Sequence, residues 1–304
     1  MQNNTTLLVI VIILGLALYG LGSGNNNQEK GPDALAWYTG QVKQGKTATE
    51  NDIERDLNDI ENRVNTLKEE VGTFVDTETK SPYNGIVSIV NAQDFGSSDP
   101  KREYITLYVS GNYTGKITIT GWKLQSDTTK KSVNIPSGAA VYYPNIATPN
   151  EPVMLSPGDT AIISSGPSPV GFNFKTNKCT GYLGQFNNFL PYLRNECPNP
   201  KDENLNFVPQ TPINFTCLDY IEALSRCQIN TKPLPSNFTP ECHAFIAEKI
   251  NYQGCLSLHK NDKDFYGNEW RIYLGRGESL WLNRRETVQL IDENGKIVST
   301  YVRN

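Results

Sequence analysis

Residues 103–110 read EYITLYVS. Tyr104, Thr106 and Tyr108 fall on one face, and Ile105, Leu107 and Val109 on the other. That two-residue period is the mark of a strand with one face in a core. The pattern repeats on both sides. GIVSIV at 85–90 precedes it, and Gly111-Asn112 suits a turn after it. KITITGWKLQ at 116–125 reads as the next strand, followed by Val133–Ile135, a Pro136-Ser137-Gly138 turn and Ala139–Tyr143. MLSPGD at 154–159 turns the chain into Thr160–Ser164, which Gly166-Pro167 closes. Short strands about 8–15 residues apart with Gly/Pro punctuation predict an antiparallel β-sandwich of immunoglobulin type.

The period breaks between Cys179 and Asn268, and that stretch holds every cysteine of the chain: Cys179, Cys197, Cys217, Cys227, Cys242 and Cys255. FTCLDYIEALSRC at 215–227 and CHAFIAEKINY at 242–252 carry apolar residues at helical spacing. Two short helices in a Pro-rich, stapled insert are predicted. So small a unit needs cross-links, and six cysteines in an exported chain imply three disulfides among fifteen possible pairings. Zinc held by Cys242, Cys255, His259 and His243 is the competing reading, but no paired CxxC knuckle is present. An even cysteine set argues against a lone Cys–His nucleophile. Asn261–Asp264 (NDKD) misses EF-hand spacing and reads as a charged surface loop. The sequons at Asn112, Asn214 and Asn237 matter only in a glycosylating host.

The flanking halves resemble the lamin-tail domain family. The resemblance lies in Tyr104-Ile105-Thr106-Leu107, Gly121-Trp122-Lys123-Leu124, and Leu155 to Asp159 with Ser165-Gly166 after it. It continues in Leu280-Trp281 through Val288 to Val298, an apolar strand, an Asp–x–x–Gly turn and a second strand. The order and spacing of these pieces over 85–171 and 270–301 carry the likeness. It implies an Ig-like sandwich used for protein–protein contact or scaffolding, and no active site. The long insert departs from the family's pattern. Trp122 and Trp281 are expected as core anchors, because a buried indole contributes a large apolar area. Trp270 is expected to reopen the sheet after the insert.

Ahead of the sandwich, Ile53, Leu57, Ile60, Val64, Leu67, Val71 and Phe74 are spaced 4, 3, 4, 3, 4, 3. That is the seam of a coiled coil over about three heptads. Thr47 with Glu50 forms a capping box at its start. A single helix of this length is marginal in water, so the stripe needs a partner. Self-association in parallel and packing on the chain's own sandwich compete for that role. In a parallel register Asp56 faces Glu61 and Arg63 faces Lys68, both like-charged. Leu/Val at a and Ile at d lean away from a simple dimer.

At the amino terminus Leu7–Leu21 reads LLVIVIILGLALYGL, uncharged and carrying eleven Leu, Ile and Val residues. With neutral flanks it reaches about 30 Å, enough to span a bilayer. MQNNTT before it lacks the positive n-region of a cleaved signal peptide. An uncleaved signal anchor over 1–24 is therefore expected, then a flexible linker over 25–46 with Trp37 and Tyr38 suited to the membrane interface. The positive-inside rule would retain Lys30, Lys43 and Lys46 in the cytoplasm. The cysteine block favours the C-terminal domain outside.

The 304-residue chain carries a net charge of −4, which argues against a nucleic-acid surface. Arg276, Arg284 and Arg285 read as solvated strand ends. Two histidines leave little room for His-based chemistry, and no Walker, dinucleotide or GxSxG motif appears.

Together these readings predict a mainly β protein, non-catalytic and without a cofactor. Its parts are a transmembrane anchor, a stalk helix over 47–76, and a lamin-tail-like Ig-like antiparallel sandwich over 83–304 interrupted by a helical, disulfide-rich insert over 179–268. A single-pass surface protein that forms homo-oligomers through its stalk is expected, with an extracellular protein or glycan partner. Tyr- and Phe-rich loops such as Phe186–Tyr192 would supply contact area. The alternatives are an ectodomain acting on envelope polymers through carboxylates such as Asp219 and Glu241, and a periodic coat or fibre subunit.

Overall fold

The computed structural model describes residues 50–144, 148–206 and 211–304. The expected anchor Leu7–Leu21, the linker 25–46 and the Thr47 cap lie outside the described residues. Among the described residues, no helix is long and apolar enough to cross a membrane. The chain divides into two compact units between Lys68 and Glu69, and each is described by itself.

Helix α1 runs over Glu50–Thr79, with the heptad stretch inside it. The side chains of Leu57, Ile60, Val64 and Leu67 are 60%, 58%, 42% and 58% exposed. Those of Ile53, Val71 and Phe74 lie outside the described side chains.

The sandwich begins with β1 (Val87–Gln93), β2 (Tyr104–Val109), β3 (Ile117–Thr118), β4 (Lys123–Ser126) and β5 (Ser132–Asn134). It continues with β6 (Met154–Leu155), β7 (Thr160–Ser164), β8 (Phe174–Asn177), β9 (Tyr266–Tyr273), β10 (Glu286–Ile291) and β11 (Ile297–Arg303). One sheet runs β1-β2-β7-β9-β8, a second runs β11-β10-β4-β5, and β3 pairs with β6. The alternation read in residues 103–110 holds: Ile105, Leu107 and Val109 are buried. Trp122 and Trp281 are buried with them, as is Trp270 of β9. The closing hairpin pairs β10 with β11 antiparallel. Its turn is made by Asp292, whose carboxylate accepts from the amides of Asn294 and Lys296, and by Gly295 at φ +77.

Two wholly buried carboxylates position the Trp281 segment. Glu103 accepts from the amides of Gly96, Leu280 and Trp281 and from the Ser165 hydroxyl. Glu286 accepts from the Leu282 amide and the Ser126 hydroxyl. Orphan backbone donors in a closed core are costly, so these acids hold an irregular stretch that no strand could satisfy.

Several expectations need correction. The stretch 116–125 is not one strand. Gly121 takes φ +86 and the Trp122 amide turns back to the Ile119 carbonyl, so β3 pairs with β6 while β4 pairs with β10 and β5. Ala139–Tyr143 forms only a single bridge, Ala139 to Phe174, because Val141, Tyr142 and Tyr143 pack against the insert's core instead. The sandwich is not wholly antiparallel, since β9 lies parallel to β7. The sheet resumes at Tyr266, inside the stretch assigned to the insert.

The insert carries three α-helices, one more than expected: α2 (Pro212–Glu222), α3 (Pro240–Lys249) and α4 (Tyr252–His259), with 3-10 turns at Thr180–Gln185 and Pro200–Asp202. Helix α2 stops short of Cys227, which sits at φ +57. Helix α4 begins where the Asn251 carboxamide accepts from the Gly254 amide. A Cβ at Gly254 would come within 2.2 Å of the Glu248 carbonyl oxygen. The absence of a side chain at Gly254 is thus what lets α4 pack against the end of α3.

All six insert cysteines are bonded: Cys179–Cys255, Cys197–Cys227 and Cys217–Cys242. The zinc set is therefore not assembled, since Cys242 and Cys255 are each committed to a sulfur partner. The Cys179–Cys255 bridge closes the longest loop, with a sequence separation of 76. Chain-entropy arguments assign such a loop about 4.5 kcal/mol, and the two shorter ones nearer 3.5 kcal/mol. Replacing Cys179 and Cys255 together by serine should lower the unfolding free energy by about 4.5 kcal/mol in urea titration. A loss smaller than that of the Cys217/Cys242 double variant would contradict the ranking.

Candidate functional site

β9 faces two cores. Trp270 and Ile272 point into the sandwich, while Tyr273 packs with the insert. On that second face lies Arg271, only 2% exposed. Its guanidinium meets the Glu269 carboxylate at 2.6 Å and donates to the carbonyls of Pro191 and Tyr192 at 2.5 and 3.1 Å. A buried cation is tolerated only when it is paired in this way, here with one partner for each guanidinium nitrogen. The effect is to clamp the 186–196 loop against the sheet.

That loop divides its aromatics. Phe189 is buried against Phe174, ring centroids 6.0 Å apart, whereas Phe186 and Tyr192 are 63% and 76% exposed. Only part of the expected Phe186–Tyr192 contact surface therefore faces solvent. Beyond Tyr192, residues 193–196 form one wall of a cleft of about 140 Å³. The opposite wall comes from 176–180 and 264–269. The β8–β9 pairing is irregular between Lys175 and Asn177, so Thr176 is left out of register and donates its hydroxyl to the Glu269 carbonyl. Gly267 permits this, because a Cβ there would lie 2.5 Å from the Thr176 oxygen. Tyr266, half-exposed, rests edge-on against buried Phe265 at 5.0 Å.

Each carboxylate lining the cleft has its own cation. Glu196 pairs with Arg194 at 3.6 Å, Asp264 with Lys178 at 2.6 Å, and Glu269 with Arg271. The Asn261–Asp264 loop clasps Lys178 through Asp262 as well, at 3.0 Å. Among the described residues no group of His, Cys, Asp and Glu side chains is gathered to hold a metal ion. Asp219 and Glu241 are exposed on α2 and α3.

The network extends behind the cleft. His259, at the end of α4, meets Glu203 through Nε2 at 2.8 Å and Asp262 through Nδ1 at 2.9 Å. Burial of the ring opposes its charge, yet hydrogen bonds to the two carboxylates outweigh that and raise its pKa above 6.5. Asp262 is held below 3.8, first by His259 and then by Lys178. Asp264 is held low by Lys178.

Other expected features are placed without joining this site. Asn112 and Asn237 lie exposed on turns, while Asn214 is buried on α2. Arg276 pairs with Glu278 at 3.5 Å, and Arg284 and Arg285 are exposed. The clamp itself was not anticipated from sequence, because a charge alternating with Trp270 and Ile272 reads as the solvent face of a half-buried strand. Searches against protein-family models and against curated proteins return no match for this chain.

Two measurements check the site. Arg271→Met should cost about 3–5 kcal/mol in urea titration, because it strands Glu269 and two carbonyls, and should expose 186–196 to protease. A loss under about 1 kcal/mol would show that the clamp contributes no net stability. The pH dependence has a definite sign. A raised His259 pKa contributes stability that is full below 6.5 and lost as pH rises through the raised value. The lowered Asp262 and Asp264 contribute above 3.8 and lose it as pH falls through their depressed values. Stability should thus fall on the alkaline side of the His259 titration, and His259→Gln should remove that decline.

Proposed function

We propose that this chain is a non-catalytic, membrane-anchored surface protein. Its stalk helix assembles it into a homo-oligomer and displays a lamin-tail-like sandwich, outside the cytoplasm, for protein interaction, adhesion or scaffolding. The observation that carries this reading is the exposed heptad stripe Leu57, Ile60, Val64 and Leu67 on α1. Four large apolar side chains in one row are costly in water and are stabilised by a second copy of the same row. The apolar Leu7–Leu21 segment supports the anchor, and three disulfides support an oxidising compartment. The lamin-tail resemblance of the sequence over 85–171 and 270–301 supports a contact or scaffolding role. The paired state of the cleft carboxylates suits a binding surface better than general acid–base work, which needs a carboxyl free to exchange its proton.

The full chain in mild detergent should sediment as a trimer or higher assembly, and Ile60→Asp with Leu67→Asp should convert it to a monomer of unchanged fold. A wild-type monomer at all concentrations would refute the stalk assignment. Deleting Leu7–Leu21 should move the protein from the membrane to the soluble fraction, and an unchanged distribution would refute the anchor.

A further inference from the structure

The geometry points to the cleft beneath Tyr266 as a subsite for one neutral sugar ring of a glycan. This rests on the display reading for its setting and supplies the class of partner.

Size comes first. Pockets for drug-sized ligands run from about 300 Å³ upward, so a cleft of about 140 Å³ takes a single ring rather than a chain of them. Charge comes second. Three cations answer the three carboxylates lining the cleft, at 3.6, 2.6 and 2.6 Å. A charged ligand would have to compete with those pairs, whereas a neutral polyol can donate to the carboxylates and accept from Arg194 without displacing either. Vicinal hydroxyls suit this rim because each is at once donor and acceptor. Thr176 and Asn268 add further polar groups.

The third argument is the aromatic. Tyr266 is 53% exposed, and its ring is steadied by Phe265 behind it. A tyrosine ring offers a flat apolar face with a polar tip, which matches the carbon face and hydroxyl edge of a pyranose. A peptide would ask for deeper apolar pockets for its side chains or a free strand edge. The site is also rigid. Arg271 fixes one wall through two carbonyls, Cys197–Cys227 fixes the end of that wall, and Cys179–Cys255 fixes the other. Binding there costs little ordering entropy.

The test uses the full chain in a sugar-free zwitterionic detergent. Methyl glycosides of glucose, galactose, mannose and N-acetylglucosamine, with their β-linked disaccharides, are the probes. Saturation-transfer NMR should show transfer to at least one ring configuration. For that ligand, Tyr266→Ala and Asn268→Ala should each weaken binding at least about threefold. Both side chains are exposed, and thermal unfolding checks that the variants fold. Tyr108→Ala, exposed on β2, should leave affinity unchanged. Silence across the panel, or a loss below about threefold in both cleft variants, overturns the subsite. Neither result touches the anchor or the oligomer, which sedimentation and fractionation decide separately.

Discussion

β9 is the strand on which both halves of the C-terminal unit depend. It is sandwiched between β7 and β8, and its second half, Trp270 to Tyr273, is buried on both faces. Trp270 and Ile272 complete the sandwich core, and Arg271 and Tyr273 complete the insert's. The burial of Arg271 is the tightest constraint of the set. A guanidinium at that depth must have its donors met, and the groups that meet them are Glu269 and the backbone of the 191–192 loop. The same pairing that satisfies a buried charge therefore shapes the cleft wall. Removing the arginine would not merely delete a contact. It would leave two carbonyls and a carboxylate to be desolvated without a partner.

The parallel pairing of β7 with β9 changes what the insert is. A parallel pair needs a crossover of a dozen residues or more, and here that crossover contains the whole disulfide-bonded subdomain. The insert is thus part of how the sheet is connected. The buried acids Glu103 and Glu286 serve a related end, because they satisfy the irregular backbone around Trp281 that brings the chain back to β10.

Much of the sandwich was legible in the sequence. Period-2 alternation marked β2, and the Asp292–Gly295 turn marked the closing hairpin. Trp122, Trp270 and Trp281 declared themselves by their size among apolar neighbours. The failures have local causes. Gly121 broke what read as one strand, and a positive φ is not visible in an apolar pattern. Gly254 hid α4, because its effect on packing depends on a neighbouring helix. The pairing of the six cysteines was undetermined, as spacing alone allows many solutions. The cleft was the least legible. Thr176, Arg194 and Tyr266 come from segments far apart in the chain, and only the fold brings them together. Arg271 was hidden too, because a charge alternating with two large apolar residues reads as the solvent face of a strand.

The route of the chain through β9 also orders events in time. Thr160 and Glu269 pair although they are over about a hundred residues apart, and contacts of that span form slowly. β8 emerges long before the strand it must border, so both β7 and β8 wait with open edges while the crossover is made. Those edges would be exposed to other unfinished chains. The cysteine bond that draws residue 179 to residue 255 brings β8 to the threshold of β9. Oxidation thereby becomes a step in protecting the unfinished sheet from aggregation, as well as a source of final stability.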